Sequence, residues 1–295
     1  MLFGVSVPNF GPGLDARLLA DWAVAAEHAG WDGFFVWDHL LAFDPGPIDV
    51  VDPWMALAVA AVRTSRVRLG TMVTPLPRRR PAKVARETVT LDRLSGGRAV
   101  LGVGIGAMPF EWEYLGEAPD PVVRGEMLDE QLELLEKMWS GEPVRHLGAH
   151  YRVAGGDRNA PWMGLFHPTP VGRARVRLWV AGTWPGTKPF RRAARWDGVV
   201  PMRVDGRWEV EDTRDVTAYV SRYRGTRGGG GGDGFDVVVP GESEPGDASR
   251  LGLFAAHAEA GATWWVEAVH PWRFGWTAGE PLPEAQMRGR LTAGP

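Results

Sequence analysis

Two stretches of the chain carry residue types and spacings that could do chemistry. The first is Asp38-His39, which follows directly on the apolar run Gly33–Trp37. An imidazole changes charge near neutral pH and so can give or take a proton; the alternative is a ring satisfied by Asp38 at the end of a strand. The second is Gly102, Gly104 and Gly106, spaced two apart where the run Ala99–Val103 ends. Without Cβ atoms, backbone N–H groups there could approach a phosphate or a ring closely, or the glycines could serve packing alone. Other chemistries are excluded at once. The 295 residues include no cysteine, which removes disulfides, thiolate metal sites and cysteine nucleophiles together. No His/Asp/Glu grouping has metal-ligand spacing, so no metal is expected, and no G-x-S-x-G nucleophile elbow occurs.

The elements that must position these residues alternate along the chain. Phe3–Val7, Gly33–Trp37, Val67–Thr74, Ala99–Val103, Arg177–Ala181, Gly198–Pro201, Phe235–Val239 and Thr263–Val269 read as short strands. Most are nearly all apolar, the pattern of parallel strands covered on both faces. Helical spacing fills the intervals, as in Asp15–Ala29, Pro81–Leu94 and Val123–Ser140. Ser95-Gly96-Gly97 supplies the positive-φ positions that a helix C-cap needs. Residues 141–176 break the rhythm: Pro143–Val153 reads as a small hairpin inside an insertion rich in Pro, Gly and Trp. The Gly228–Gly232 run, within a glycine-rich loop over 225–234, is a low-complexity bridge with no following helix to make it a phosphate site.

Eight strand-plus-helix units without a break in composition predict one closed (β/α)8 barrel over residues 1–295, decorated by an insertion between strands four and five. A doubly wound open sheet is the alternative, because periodicity cannot show closure. In a barrel, chemistry gathers at the strand C-termini. That places Asn9, Asp38, His39, Thr74, Gly104, Gly106, Gly182, Thr183, Met202, Glu267 and His270 around one mouth. Lys and Arg total 33 against 36 acidic residues, so there is no electrostatic footprint for nucleic acid. The N-terminal MLFGVSVPNF lacks a basic leader and no apolar run approaches a membrane span, so a cytoplasmic protein is expected.

Five fragments, in order, resemble one family: WDGFFVWDHL (31–40), RVRLGTMVTPLPRRRPAKVARETVTLDRLSGGRAVLGVGIG (66–106), MLDEQLELLEKMWSGEPVRHLGAHYRV (127–153), VRLWVAG (176–182) and WDGVVP (196–201). The sequence is similar to the luciferase-like flavin- and deazaflavin-dependent oxidoreductases. That resemblance implies a (β/α)8 barrel with FMN or the deazaflavin coenzyme F420 across its mouth, and hydride transfer or oxygen insertion on a small molecule. Asp38-His39 tilts the cofactor expectation toward F420. The resemblance makes His39, beside Asp38, an acid–base group at the cofactor ring. It makes Met72-Val73 a strand bulge with a non-prolyl cis peptide, continuing into Thr74. It gives Gly104, Gly106, Ala181, Gly182, Thr183, Pro201 and Met202 contacts to the ring or its phosphate. Homodimers in such barrels often pair through helices near strands two and three.

Departures from the pattern matter. Some sugar-phosphate-oxidising relatives carry Glu where this chain has Ala107 and Thr where it has Met202, which argues against that specific activity. The acid could instead be Glu111, Glu113 or Glu267. Thr263, Trp265, Glu267 and Val269 share one face of their strand, and if that face is the lumen a carboxylate sits at the mouth; the alternative is an ion pair with an arginine. Trp264, Trp265, Trp272 and Trp276 could wall a flat apolar pocket or pack the last strand. Arg78-Arg79-Arg80 reads as a solvated turn, or as a group that steers an anionic cofactor tail. A catalytically silent barrel acting as carrier or sensor is the rival from another class.

Overall fold

A computed structural model describes residues 1–42, 48–155, 162, 164–224 and 234–295. The Gly228–Gly232 run therefore lies outside the described residues. Eight parallel strands close into a barrel: β1 (Leu2–Val7), β2 (Gly33–Val36), β3 (Arg68–Pro75), β4 (Ala99–Gly104), β7 (Arg177–Thr183), β8 (Gly198–Met202), β9 (Asp236–Gly241) and β10 (Trp264–Ala268), with β10 pairing back onto β1. The open-sheet alternative is thereby set aside. Helices α1 (Ala16–His28), α2 (Pro53–Arg63), α3 (Pro81–Leu94), α5 (Pro121–Trp139), α6 (Thr187–Ala193), α7 (Val210–Arg224) and α8 (Ser249–Glu259) connect the strands, and a short α4 (Pro109–Glu113) precedes α5. A last helix, α9 (Glu284–Thr292), follows β10. None of these helices is long and apolar enough to cross a membrane among the described residues.

The local chemistry explains where the elements start and stop. Asp15 accepts from the N–H groups of Arg17 and Leu18, both at 2.8 Å, and so caps α1. Helix α3 ends at Ser95, and Gly96 and Gly97 then turn the chain at φ +66° and +90°, a conformation that a side chain disfavours. The insertion between β4 and β7 contains the expected hairpin, β5 (His146–Leu147) antiparallel to β6 (Arg152–Val153).

The barrel is a packed core and not a pore. Phe35, Val100, Trp179, Val200, Val238, Trp264 and Val266 fill the lumen. Trp179 and Trp264 both donate to the Asp236 carboxylate, at 2.8 and 3.2 Å, which satisfies their indole N–H groups in a buried setting. Since Trp264 and Val266 point inward, Trp265 and Glu267 point outward. The lumen placement considered for Glu267 is therefore corrected.

Candidate active site

His39 is fixed from both sides. Its backbone N–H donates to Asn9 Oδ1 at 3.1 Å, while Asn9 Nδ2 donates to the His39 carbonyl at 2.8 Å. Its ring Nδ1 lies 3.2 Å from Glu111 Oε2, brought there by α4. Glu111 also accepts from the Leu40 N–H at 2.6 Å and has Arg78 Nη1 at 2.7 Å. Burial of Glu111 raises its pKa, but the His39 bond, the Leu40 N–H and Arg78 outweigh burial and lower it to about 2. The carboxylate is therefore ionised and accepts, so Nδ1 of His39 is the donor of this bond.

Asp38 is not the partner of this ring. Its side chain is fully buried, accepting from the Thr74 hydroxyl at 2.7 Å and from Arg79 at 2.5 Å, and Arg78 donates to its carbonyl. Asp38 thus holds the β2 exit in place, and the reading of a His39 ring satisfied by Asp38 is corrected. Thr74 is buried as well, with its hydroxyl also 2.9 Å from Thr71 Oγ1. The arginine turn is corrected at two of its positions, while Arg80 is exposed: Arg78 is 0% exposed and Arg79 15%, because buried carboxylates from other elements take their charge.

Glycines shape a second region of the mouth. The Met72–Val73 peptide is cis, at the register shift between β3 and β4. A Cβ on Gly104 would stand 3.1 Å from Val73 Cγ2, and one on Gly106 would overlap Trp112, which α4 tucks beneath it. Val73, Gly104, Gly106, Ala181, Gly182, Thr183 and Met202 line one cleft of about 510 Å³, together with Ala107 and Lys188. Met72 packs on the lumen cluster below, and Pro201 pairs with Gly182 at the rim of β7 and β8. The predicted cofactor residues thus converge at this end of the barrel, except that the Thr74 hydroxyl serves Asp38.

A third set of residues is aromatic. Trp37 lies with its ring centroid 6.0 Å from that of His39 and 6.2 Å from that of His270, and stacks on Trp272 at 6.4 Å and 19°. Phe10 and Trp276 back this wall. Of the four tryptophans proposed from sequence, Trp272 and Trp276 belong to it, whereas Trp264 fills the lumen and Trp265 packs outside on Phe254. Trp37 and Phe10 were missed, although Trp37 stands directly before Asp38-His39.

Glu267, proposed as a catalytic acid, is 0% exposed. It accepts from Trp265 at 2.9 Å and from the Ser243 N–H at 2.7 Å, and pairs with Arg273 at 2.5 Å and Arg290 at 3.2 Å. This is the arginine ion pair, and it ties α9 to the outside of β10.

With this geometry in hand, comparison with known proteins is informative. The F420-dependent glucose-6-phosphate dehydrogenase of Nakamurella multipartita is 40% identical over 154 residues, covering 51% of this chain and 44% of that protein. The 4-hydroxyprotoasukamycin monooxygenase of Streptomyces nodosus subsp. asukaensis is 38% identical over 127 residues, covering 43% and 32%. The chain thus matches less than half the length of these curated relatives. Among solved structures, an F420-dependent secondary alcohol dehydrogenase superposes with a TM-score of 0.74 at 18% identity, over 92% of this chain and 94% of that one. Monooxygenase RslO1 from Streptomyces bottropensis does so at 0.71 and 21%, over 99% and 98%. The model of the luciferase-like monooxygenase family matches residues 1–214, and the chain belongs to that family.

Proposed function

We propose that this protein is an oxidoreductase that uses the deazaflavin coenzyme F420, in preference to FMN, to move a hydride to or from a small organic substrate. The observation that carries the reading is the Glu111-tethered His39 at the same barrel mouth as the cleft floored by Gly104. Gly104 and Gly106 line the cleft without side chains of their own, which leaves main chain for a flat ring to approach. Gly104, Gly106, Ala181, Gly182, Thr183 and Met202 would hold the coenzyme, with the cis Met72–Val73 peptide beneath it and Lys188 toward its anionic tail. When bound, the coenzyme supplies two-electron hydride chemistry.

The chain's own part is binding, orientation and proton transfer. Glu111 holds the Nδ1–H tautomer of His39, so Nε2 takes the hydroxyl proton when an alcohol is oxidised and returns it when a ketone is reduced. The charge gained by the ring is met by the Glu111 carboxylate, which the His39 bond, the Leu40 N–H and Arg78 keep ionised. The curated relatives named F420-dependent support this cofactor choice, and the relative named a monooxygenase supports oxygen insertion as the second reading. The test is to mix purified protein with F420 and a panel of alcohols and ketones, following the coenzyme's visible absorbance, beside reduced FMN with oxygen. Turnover with F420 is expected. Oxygen-dependent product with FMN alone would establish the second reading, and tight binding without turnover would establish a carrier.

A further inference from the structure

Helix α4 belongs to neither side of the mouth and touches both. It is five residues long, and so short a helix has too few backbone hydrogen bonds to hold itself in place. Its position is therefore set by what it buries, and its buried residues are Glu111 and Trp112. These consecutive side chains go to different partners. Glu111 reaches His39, Leu40 and Arg78. Trp112 runs under the loop after β4, where a Cβ on Gly106 would overlap the Cζ2–Cε2 edge of its ring. That loop is the one that brings Gly104, Gly106 and Ala107 into the coenzyme cleft.

Packing and cations hold the Trp112 ring, because its buried indole N–H has no hydrogen-bond partner among the described residues. The Arg124 guanidinium lies 4.3 Å from the ring centroid, well inside the range of cation–π attraction, and that of Arg78 lies at its limit, 6.0 Å away. Arg124 comes from α5 and is itself buried; it donates to the Pro119 carbonyl at 2.9 Å and to the Gly106 carbonyl at 3.4 Å. Arg78 meets Glu111 Oε2 at 2.7 Å. One ring thus neighbours both the arginine bonded to the glycine loop and the arginine paired with the carboxylate that holds His39.

We propose that Trp112 is a positioning residue for both sides of the mouth: a wedge that sets the place of the Gly104–Ala107 loop and, through α4, the place of Glu111 against His39. Without the indole, α4 keeps no buried apolar anchor, and Glu111 is placed by its polar contacts alone. The proposal rests on the oxidoreductase reading above for the use that each side serves, whereas the placing of Glu111 does not depend on it. One substitution at Trp112 therefore disturbs both sides, unlike His39→Ala, which acts on the proton, or Gly104→Val, which acts on the coenzyme.

The test reads both sides separately. Ring nitrogen-15 shifts of His39 are recorded by NMR through its carbon-bound protons, in coenzyme-free protein at about pH 8.5, above the ordinary histidine range, and assigned by their loss in His39→Ala. In wild type Nδ1 should read as a protonated nitrogen, the donor to Glu111. Trp112→Leu should move it toward the tautomer mixture of an unrestrained imidazole, and should weaken F420 binding about tenfold. Trp112→Phe, which keeps an aromatic face for Arg124, should keep the wild-type shift and bind F420 within about threefold. Trp139→Leu is the control: that ring is equally buried, at 1% exposure, but lies at the far end of α5 from Arg124, so the variant should lose stability and move neither readout. An unprotonated Nδ1 in wild type, an unchanged shift or unchanged F420 affinity in Trp112→Leu, or the same changes in Trp139→Leu would each overturn the proposal. Should Trp112→Leu fail to fold, Gly106→Ala takes its place, since its Cβ meets the Trp112 ring from the coenzyme side; it must move the His39 shift, and an unmoved shift would be fatal. If wild type binds no F420, the deazaflavin reading falls, while the His39 shift still decides whether Trp112 places Glu111.

Discussion

The glycine half and the aromatic half of the mouth solve opposite problems. At the ends of β4 and β7 the surface comes from the strands themselves, and what matters is that side chains are missing: Gly104 and Gly182 leave main chain where a Cβ would meet Val73 or Pro189. At the ends of β2 and β10 the surface comes from segments just past the strands, and what matters is that side chains are rigid. His39 and Trp37 are held by Glu111, Asn9 and Ser6, which come from other elements. The difference teaches that a flat ring can be gripped by omission, whereas a proton can be moved only by a group whose tautomer is enforced.

The comparison can be broken most sharply at His39. His39→Ala should lower turnover by about 10²–10⁴-fold, the range of a lost acid–base group, while coenzyme affinity stays within about twofold. Unchanged turnover would remove His39 from the chemistry. Next in size is the support beneath it. Arg78→Met leaves the buried Glu111 carboxylate without its cation, and a loss of about 3–5 kcal/mol in urea unfolding is expected. A loss under 1 kcal/mol would mean that solvent reaches the pair. Gly104→Val should fill the other half and weaken coenzyme binding by at least about tenfold, with a lowered Tm as well, because its Cβ would press on Val73.

The smallest effect is a pH dependence. Glu111 titrates at about 2 in the folded chain against an ordinary 4.5, so its contribution to stability is complete above about pH 4.5 and is lost as pH falls toward 2. Glu111→Gln should flatten the dependence of Tm on pH over that window and lower turnover by about tenfold, since the amide no longer enforces the Nδ1–H tautomer. A mutant with the same acid slope as wild type would assign that slope to other carboxylates.

Much of this was legible in the sequence, for physical reasons that differ by region. Strands covered on both faces and punctuated by Gly and Pro announced the barrel, and Ser95-Gly96-Gly97 marked the end of α3. The glycine half was readable because it is local to its strands. The support of His39 was not. Glu111 stood as one acid among three until α4 delivered it to the ring, and Arg78 and Arg79 looked solvated because Asp38 and Glu111, which bury them, lie elsewhere in the chain. Glu267 was hidden by its strand: TWWVEAV is bulky on both faces, so alternation gave a face without saying which way it turned. Its partners Arg273 and Arg290 come from beyond β10.

The central claim is that one half of the mouth holds the coenzyme and the other moves the proton. It is tested most directly by one binding titration of F420 against wild type, Gly104→Val and His39→Ala, read by the coenzyme's absorbance. The account predicts tight binding to wild type and to His39→Ala, and binding weakened at least about tenfold by Gly104→Val. Equal affinity in all three, or loss in His39→Ala with Gly104→Val unaffected, would contradict it.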